Sequence, residues 1–206
     1  MNSRTAPRAP IVVLASGTGT LLAAILRRSQ DPASSFQIAA VVVDRDCGAV
    51  QIARDAGVPV VTCALADHPD RAAWDRDLAA QVSSFAPQWI VTAGFMKILG
   101  PAMLAGFAQR IVNSHPALLP AFPGAHGVAD ALAYGVKVTG CTVHLVDDGV
   151  DTGPILAQGT VEVYPDDTVD SLHERIKTLE RDLLPDVVEA VVTRGVVTDG
   201  RKAHLK

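Results

Sequence analysis

The chain has 206 residues, 49% of them hydrophobic, and balances 18 basic against 22 acidic side chains for a formal net charge of −4. That length supports one domain with an ample core, and the lack of excess Lys and Arg argues against nucleic acid as a partner. The three cysteines, Cys47, Cys63 and Cys141, have no CxxC spacing, which suggests neither a zinc centre nor a disulfide framework and fits a reduced, cytoplasmic setting.

The opening MNSRTAPRAP runs into an apolar stretch too short for a signal-peptide core or a membrane span, so residues 1–9 read as a disordered start to a soluble domain. Short β-branched runs then alternate with amphipathic ones. IVVLA (11–15) precedes TLLAAILRRS, IAAVVV (38–43) precedes CGAVQIARDAG, PVVTC precedes RAAWDRDLAAQVSSF, and WIVTA (89–93) precedes PAMLAGFAQ. Apolar strands of this kind need cover on both sides, so the order predicts an α/β fold: a Rossmann-like, mostly parallel sheet with helices on both faces. Right-handed crossovers gather the C-terminal strand ends on one edge, where open α/β sheets bind ligands.

After residue 136 the period changes. VKVTGCTVHLV and ILAQGTVEVY alternate apolar and polar residues around DDGVDTGP, which predicts a late antiparallel pair joined by a functional loop. The stretch TVDSLHERIKTLERDLLPDVVEAVVTRG reads as a long helix with Thr168 as N-cap and Gly195 as stop, broken or kinked near Pro185. No repeat or low-complexity linker marks a boundary, so residues 1–206 form a single domain in this reading.

Four segments carry candidate chemistry. In ASGTGTLL, at the first strand-to-helix junction, the backbone N–H groups around Gly17, Thr18, Gly19 and Thr20 would face an anion such as phosphate, with a plain tight turn as the competing reading. The match to a dinucleotide fingerprint fails at Leu22, and no GK[ST] comes after it to make a Walker loop. In NSHPALLPAFPG (113–124), Asn113 and His115 are two apart at a strand's C-terminal end and project to one side, while Pro116, Pro120 and Pro123 stiffen the rest of the segment. An amide donor beside a ring that can become a cation suits an oxyanion site. Asp151 in DDGVDTGP could reach the same edge and favour the imidazolium, although Asp147 and Asp148 are as acidic and position alone does not choose among them. His144, just before that loop, reads as a buried hydrogen-bonding residue. GFMKILGP (94–101) offers an apolar slot for a flat aromatic ligand, or an ordinary core corner. His68, His126, His173 and His204 show no metal-ligand spacing, and no metal is expected.

Together these motifs identify a family. VLASGTGTLL, AGFMKIL, NSHPALLPAFPG, VTGCTVHLVDDGVDTGPIL and LHERIKTLERDLLP resemble the phosphoribosylglycinamide formyltransferases, the folate-dependent enzymes of purine synthesis, over almost the whole chain. The resemblance implies formyl transfer from 10-formyltetrahydrofolate to glycinamide ribonucleotide. It puts the catalytic roles on Asn113, His115 and Asp151. It assigns folate contacts to Arg71, Met96, Lys97, Ile98, Leu99 and Asn113, and nucleotide contacts to Gly19, Thr20, Leu21 and Glu180. It implies a nucleotide-phosphate half over about residues 10–100 and a folate and catalytic half over about 90–195. Two positions depart from the common family pattern: Leu21 stands where many members have Asn, and Lys97 where Arg is common, so backbone recognition has to serve at both.

Other readings use the same residues. Methionyl-tRNA formyltransferase adds a C-terminal domain and formyltetrahydrofolate deformylase an N-terminal regulatory one, neither of which is expected here. A nicotinamide-dependent oxidoreductase would use the glycine turn with Asp44 as ribose ligand, and a non-catalytic domain would bind phosphate-bearing metabolites without turnover. An apolar helix face serves a core or a homodimer equally well, which leaves oligomeric state open.

Overall fold

A computed structural model describes residues 7–206. Its strands are β1 (Ala9–Ala15), β2 (Phe36–Val43), β3 (Val60–Thr62), β4 (Trp89–Thr92), β5 (Ile111–His115), β6 (Val138–Leu145), β7 (Ile155–Glu162), β8 (Val196–Asp199) and β9 (Lys202–Leu205). The helices are α1 (Thr20–Gln30), α2 (Gly48–Asp55), α3 (Arg71–Ser83), α4 (Pro101–Gly106), α5 (Gly127–Tyr134) and α6 (Val169–Arg194). All of the strands join one sheet in the order β3-β2-β1-β4-β5-β6-β7-β9-β8. β3 through β5 pair in parallel, β5–β6 and β6–β7 are antiparallel, and β8–β9 is an antiparallel hairpin bridged to β7. The predicted α/β class and the late antiparallel pair are both present.

Period-two alternation sorts the central strands into two cores. Ile11, Val13 and Ala15 face one side, where Leu22 and Ile25 of α1 and Val187, Val188 and Val191 of α6 cover them. Val12 and Leu14 face the other, against Trp74 and Leu78 of α3 and Met103 of α4. Residues buried on both faces explain why the sequence here is a continuous apolar run rather than an alternating one.

The structure departs from the sequence reading at four places. α6 begins at the expected cap, with the Thr168 side chain accepting the Ser171 N–H and Ser171 answering the Thr168 N–H, but it runs unbroken through Pro185 to Gly195. Leu184, Pro185, Val187 and Val188 are buried together, and that packing offsets the roughly 3 kcal/mol cost of an interior proline. The hairpin β8–β9 was not expected, although its two-residue Gly200-Arg201 turn, with Gly200 at φ +56° in the first position, is a recognised hairpin signal. Helix α5 falls in a segment to which the sequence reading gave no element. At the other end, Arg8 donates to the Ser29, Asp31 and Pro32 carbonyls and Ala9 opens β1, so order starts before residue 10; the remainder of the stretch expected to be disordered, residues 1–6, lies outside the described residues.

One buried side chain fixes the corner after β4. Asp75 of α3 is 3% exposed and accepts the Gly100 N–H at 2.9 Å and the Ala102 N–H at 2.7 Å, satisfying orphan donors at the start of α4. Gly100 is required beside it, since a Cβ there would lie 2.5 Å from the carboxyl carbon. Asp75→Ala strands both donors, and the expected loss is about 1–3 kcal/mol of stability. Urea unfolding should report it as a lower midpoint at unchanged slope; a wild-type midpoint would mean the corner holds without the carboxylate.

Candidate active site

In this sheet β1 lies between β2 and β4, so the chain leaves β1 toward one flank and later returns to the other. A crevice opens at such a switch point, outside the C-terminal ends of the strands. A cleft of about 460 Å³ sits there, within the range of ligand sites. Its walls come from the turn after β1, the segment after β4, the end of β5, the β6–β7 loop and one face of α6.

The turn after β1 presents free backbone donors. Gly19 is the N-cap of α1 with φ +80°, no side chain caps the helix, and its first turn has no acidic residue. N–H groups of Thr20 and Leu21 are thus left for an anion, favoured further by the helix dipole. Packing enforces the glycine as well, because a Cβ on Gly19 would stand 2.8 Å from both Ala49 Cα and Ile52 Cδ1 of α2. A bulky residue at 19 would therefore damage the fold along with any ligand contact. Leu22, at the third fingerprint position, is fully buried core.

Beyond β4, residues 94–99 form a lip tied down at three points. Met96 N–H donates to Ser16 Oγ at 2.9 Å, Lys97 Nζ lies 2.9 Å from Asp44 Oδ2, and Arg71 donates to the Ile98 carbonyl at 2.5 Å. The Met96 and Ile98 side chains are left 64% and 63% exposed at the cleft, an apolar surface without cover. Asp44 is itself buried and also pairs with Arg45 at 2.7 Å. Burial pushes its carboxyl up, but Arg45, Ser16 and Lys97 together hold it far below the usual carboxylate range. Engaged by two cations, Asp44 is not presented to a ribose, which removes the anchor of the oxidoreductase reading. Lys97 spends its charge on Asp44. Arg71 lies over the Trp74 ring at 5.4 Å and outside the cleft wall, so it acts on the lip through the Ile98 carbonyl.

The polar cluster forms where β5 meets β6. Asn113 and His115 do point to one side, and Asn113 is paired with His144 across the ladder. His115 is 4% exposed. Its Nε2 lies 2.8 Å from the Phe122 carbonyl and its Nδ1 3.3 Å from Asp151 Oδ2. Both partners are acceptors, and a neutral ring has one N–H, so only the doubly protonated ring donates to both. Among the three acidic candidates the geometry distinguishes Asp151. It faces His115 and accepts the Gly124 N–H at 2.7 Å, whereas Asp147 accepts from Gly149 N–H and Thr152 Oγ1 within its own turn. Burial raises the Asp151 carboxyl, yet it stays below the usual range, held down by the Gly124 N–H and the His115 ring.

His144 is buried and hydrogen-bonded, as expected, and it is also part of the cluster. Its Nδ1 donates to the Leu145 carbonyl at 2.8 Å, while Nε2 lies 3.0 Å from Asn113 Nδ2 and 3.6 Å from Asp151 Oδ1. The shorter contact has hydrogen-bond length, so a bare Nε2 accepts from Asn113; Thr92 Oγ1 donates to the other end of that amide. Both ends being held, the second Nδ2 hydrogen remains for a ligand oxygen.

Glu180 of α6 is almost fully enclosed, accepts from Ser114 Oγ at 2.6 Å, and burial pushes its carboxyl up. His173 and Lys177 join it on the cleft wall. The i, i+4, i+7 spacing of these three polar residues was the signal that sequence reasoning passed over. Thr92, Ser114 and Phe122 gave no such signal, since each acts on a partner distant in sequence.

Comparison with known proteins bears on what such a cleft does. The family model described as formyl transferase matches residues 9–188. The chain is similar to the phosphoribosylglycinamide formyltransferase of Mycobacterium tuberculosis, 56% identical over 204 residues that cover 98% of this chain and 94% of the relative. Its fold is similar to the crystal structure of glycinamide ribonucleotide transformylase 1 from Symbiobacterium toebii, with a TM-score of 0.95 at 38% identity, covering 100% of this chain and 98% of the other. A formyltetrahydrofolate deformylase from Pseudomonas syringae, at 24% identity and a TM-score of 0.90 over 97% of this chain and 66% of its own, shares the fold alone. With a family model spanning most of its length and a relative more than half identical to it, the chain belongs to the formyl transferase family, among the phosphoribosylglycinamide formyltransferases.

Proposed function

We propose that the chain transfers the formyl group of 10-formyltetrahydrofolate to the amine of glycinamide ribonucleotide, giving formylglycinamide ribonucleotide and tetrahydrofolate in purine biosynthesis. The observation that carries this reading is the cleft itself, in which an uncapped helix N-terminus, an apolar lip and the Asn113, His115, Asp151 cluster share one wall system. The folate co-substrate supplies the activated formyl carbon. The N–H groups at Gly19, Thr20 and Leu21 hold the nucleotide phosphate. Glu180 accepts from the nucleotide's sugar, Lys177 standing on the same helix face. Main-chain groups of Met96 to Leu99 and the exposed apolar side chains of Met96 and Ile98 receive the pterin ring, with Arg71 keeping Ile98 in register. Within the single domain, residues of about 10–100 form the phosphate half and those of about 90–195 the folate and catalytic half.

As the amine adds to the formyl carbon, negative charge develops on the formyl oxygen. The free Nδ2 hydrogen of Asn113 and the positive His115 ring stabilise it, and they act strongly because the cluster is enclosed and pre-positioned. Asp151 orients the ring through its contact with Nδ1. The amine's proton then passes to the departing folate nitrogen through a water. Both substrates are soluble small molecules, consistent with a cytoplasmic enzyme, and no described helix is long and apolar enough to cross a membrane.

The direct test monitors folate deformylation by purified protein with and without glycinamide ribonucleotide. Nucleotide-dependent deformylation with formylated product is expected; deformylation without nucleotide would replace the transferase by a hydrolase. His115→Ala should lower kcat by roughly 10²–10⁴-fold while KM for the nucleotide changes little, and near-normal turnover would take the ring out of the chemistry. Because the Asp151 carboxyl is held below its ordinary value, its contribution to stability is complete above the usual carboxylate range and is lost as pH falls through the lowered value. Urea unfolding across acid pH should therefore be flatter for Asp151→Asn than for the wild type, and the variant's kcat should fall at every pH. Parallel stability curves would mean that Asp151 carries no net charge linkage.

A further inference from the structure

Away from the cleft, the end of β3 and the start of α3 bring together three side chains that the proposed reaction does not use. Cys63 comes directly after β3 and is 2% exposed, His68 comes after a short 3-10 turn at Leu65–Asp67, and Asp77 lies in the second turn of α3. Their Cys-x4-His-x8-Asp spacing matches no standard ligand pattern, so only the tertiary fold reveals the group. One sulfur, one ring nitrogen and one carboxylate oxygen lie within 4.8 Å of one another. His68 Nε2 is 3.1 Å from Asp77 Oδ2, and Cys63 Sγ is 3.7 Å from the same oxygen. Zinc bonds of about 2.0–2.3 Å in tetrahedral geometry separate ligand atoms by roughly 3.2–3.7 Å, so the sulfur–oxygen edge already has a suitable length and the nitrogen–oxygen edge is slightly short of it.

The surroundings match a ligand set in a second way. His68 Nδ1 faces the Ala64 carbonyl at 2.9 Å. Nδ1–H donates there, the outer-partner arrangement of metal-bound histidines, and Nε2, which donates to Asp77 in the metal-free protein, would give up its proton to an incoming ion. Gln81 Nε2 donates to Asp77 and steadies the carboxylate one turn further along α3. Trp74 Nε1 donates to the Cys63 carbonyl at 3.0 Å and fixes the backbone behind the thiol. None of the three residues lines the cleft, and Asp77 is part-exposed, giving an ion a way in and water a fourth position.

We propose that Cys63, His68 and Asp77 form a three-ligand site for a zinc-class divalent ion, which ties α3 to the end of β3. Binding forms metal–sulfur and metal–nitrogen bonds as the Cys63 S–H and His68 Nε2–H protons leave to solvent, with no change of oxidation state. The helix so tied is the one whose Arg71 holds the Ile98 carbonyl and whose Asp75 holds the start of α4, so the ion would brace the lip without touching it.

Cobalt(II) titration of the whole protein in a Cys47→Ser background tests the site, since that change removes the more exposed competing thiol. The expected result is one cobalt per chain, with thiolate-to-metal absorption and the intense visible bands of four-coordinate cobalt, and displacement by zinc. Cys63→Ser should abolish the thiolate band. His68→Gln should weaken binding by more than the roughly 10–100-fold that loss of an outer partner costs. Zinc should raise the melting temperature of the parent and leave both variants unmoved. Absence of four-coordinate bands in the parent, or their survival in Cys63→Ser, would overturn the proposal; if Cys63→Ser fails to fold, unchanged affinity in His68→Gln does so.

Discussion

His115 is held between two acceptors, and both sit on left-handed backbone. Phe122, whose carbonyl faces Nε2, has φ 55°, and Asp151, whose carboxylate faces Nδ1, has φ 54°. Neither is a glycine, and residues in that region cost of order 1–3 kcal/mol each unless the surroundings over-determine them. Here they do. Phe122 meets the Tyr134 ring edge-on at 5.7 Å, and Asp151 is fixed by the Gly124 N–H. Two loops far apart in sequence are thus bent against preference toward one ring, and the core built from β1, α1 and α6 supplies the stability that offsets the cost.

The rest of the cleft depends on where the ring is anchored. β5 is parallel to β4 on one side and antiparallel to β6 on the other, so the strand bearing Asn113 and His115 has the lip at one shoulder and His144 at the other. Rigid strands thereby position the polar groups, while the apolar lip rests on three ties to Ser16, Asp44 and Arg71. The division suits a transfer between two substrates: one end offers bare N–H groups to an anion, the other offers Met96 and Ile98 to a flat ring. Glu180, kept in place by Ser114, closes the side formed by α6.

Much of this was legible in the sequence because it is local. Strand and helix order, the Thr168 cap and the stop at Gly195 are written in short-range periodicity and capping chemistry. The Asn113 and His115 pair could be read because two-residue spacing in an extended segment fixes a common side. What could not be read depends on partners distant in the chain. Asp151 differs from Asp147 and Asp148 only through contact with His115 and Gly124. Lys97 carries a charge whose destination, Asp44, is set by the alignment of two strand ends, and Arg71 reaches the lip from another helix. Pro185 was expected to interrupt α6 because propensity is local, whereas the buried face that keeps the helix intact is tertiary. The Cys63, His68 and Asp77 group was invisible for the same reason.

The clamp on His115 can be probed by a residue that touches the ring and no ligand. Gly127, at the start of α5, is in van der Waals reach of both the ring and its acceptor: a Cβ there would stand 2.9 Å from the Phe122 carbonyl oxygen and 3.1 Å from His115 Nε2. Gly127→Ala should push the ring and carbonyl out of line, and a misplacement of about 1 Å can cost about 10²-fold in rate. Single-turnover formyl transfer, measured beside KM for each substrate and the melting temperature, is the measurement of choice. A loss of rate of tenfold or more with both KM values preserved is the predicted result; wild-type single-turnover kinetics from this variant would contradict the account, because the position of the imidazole would then not matter.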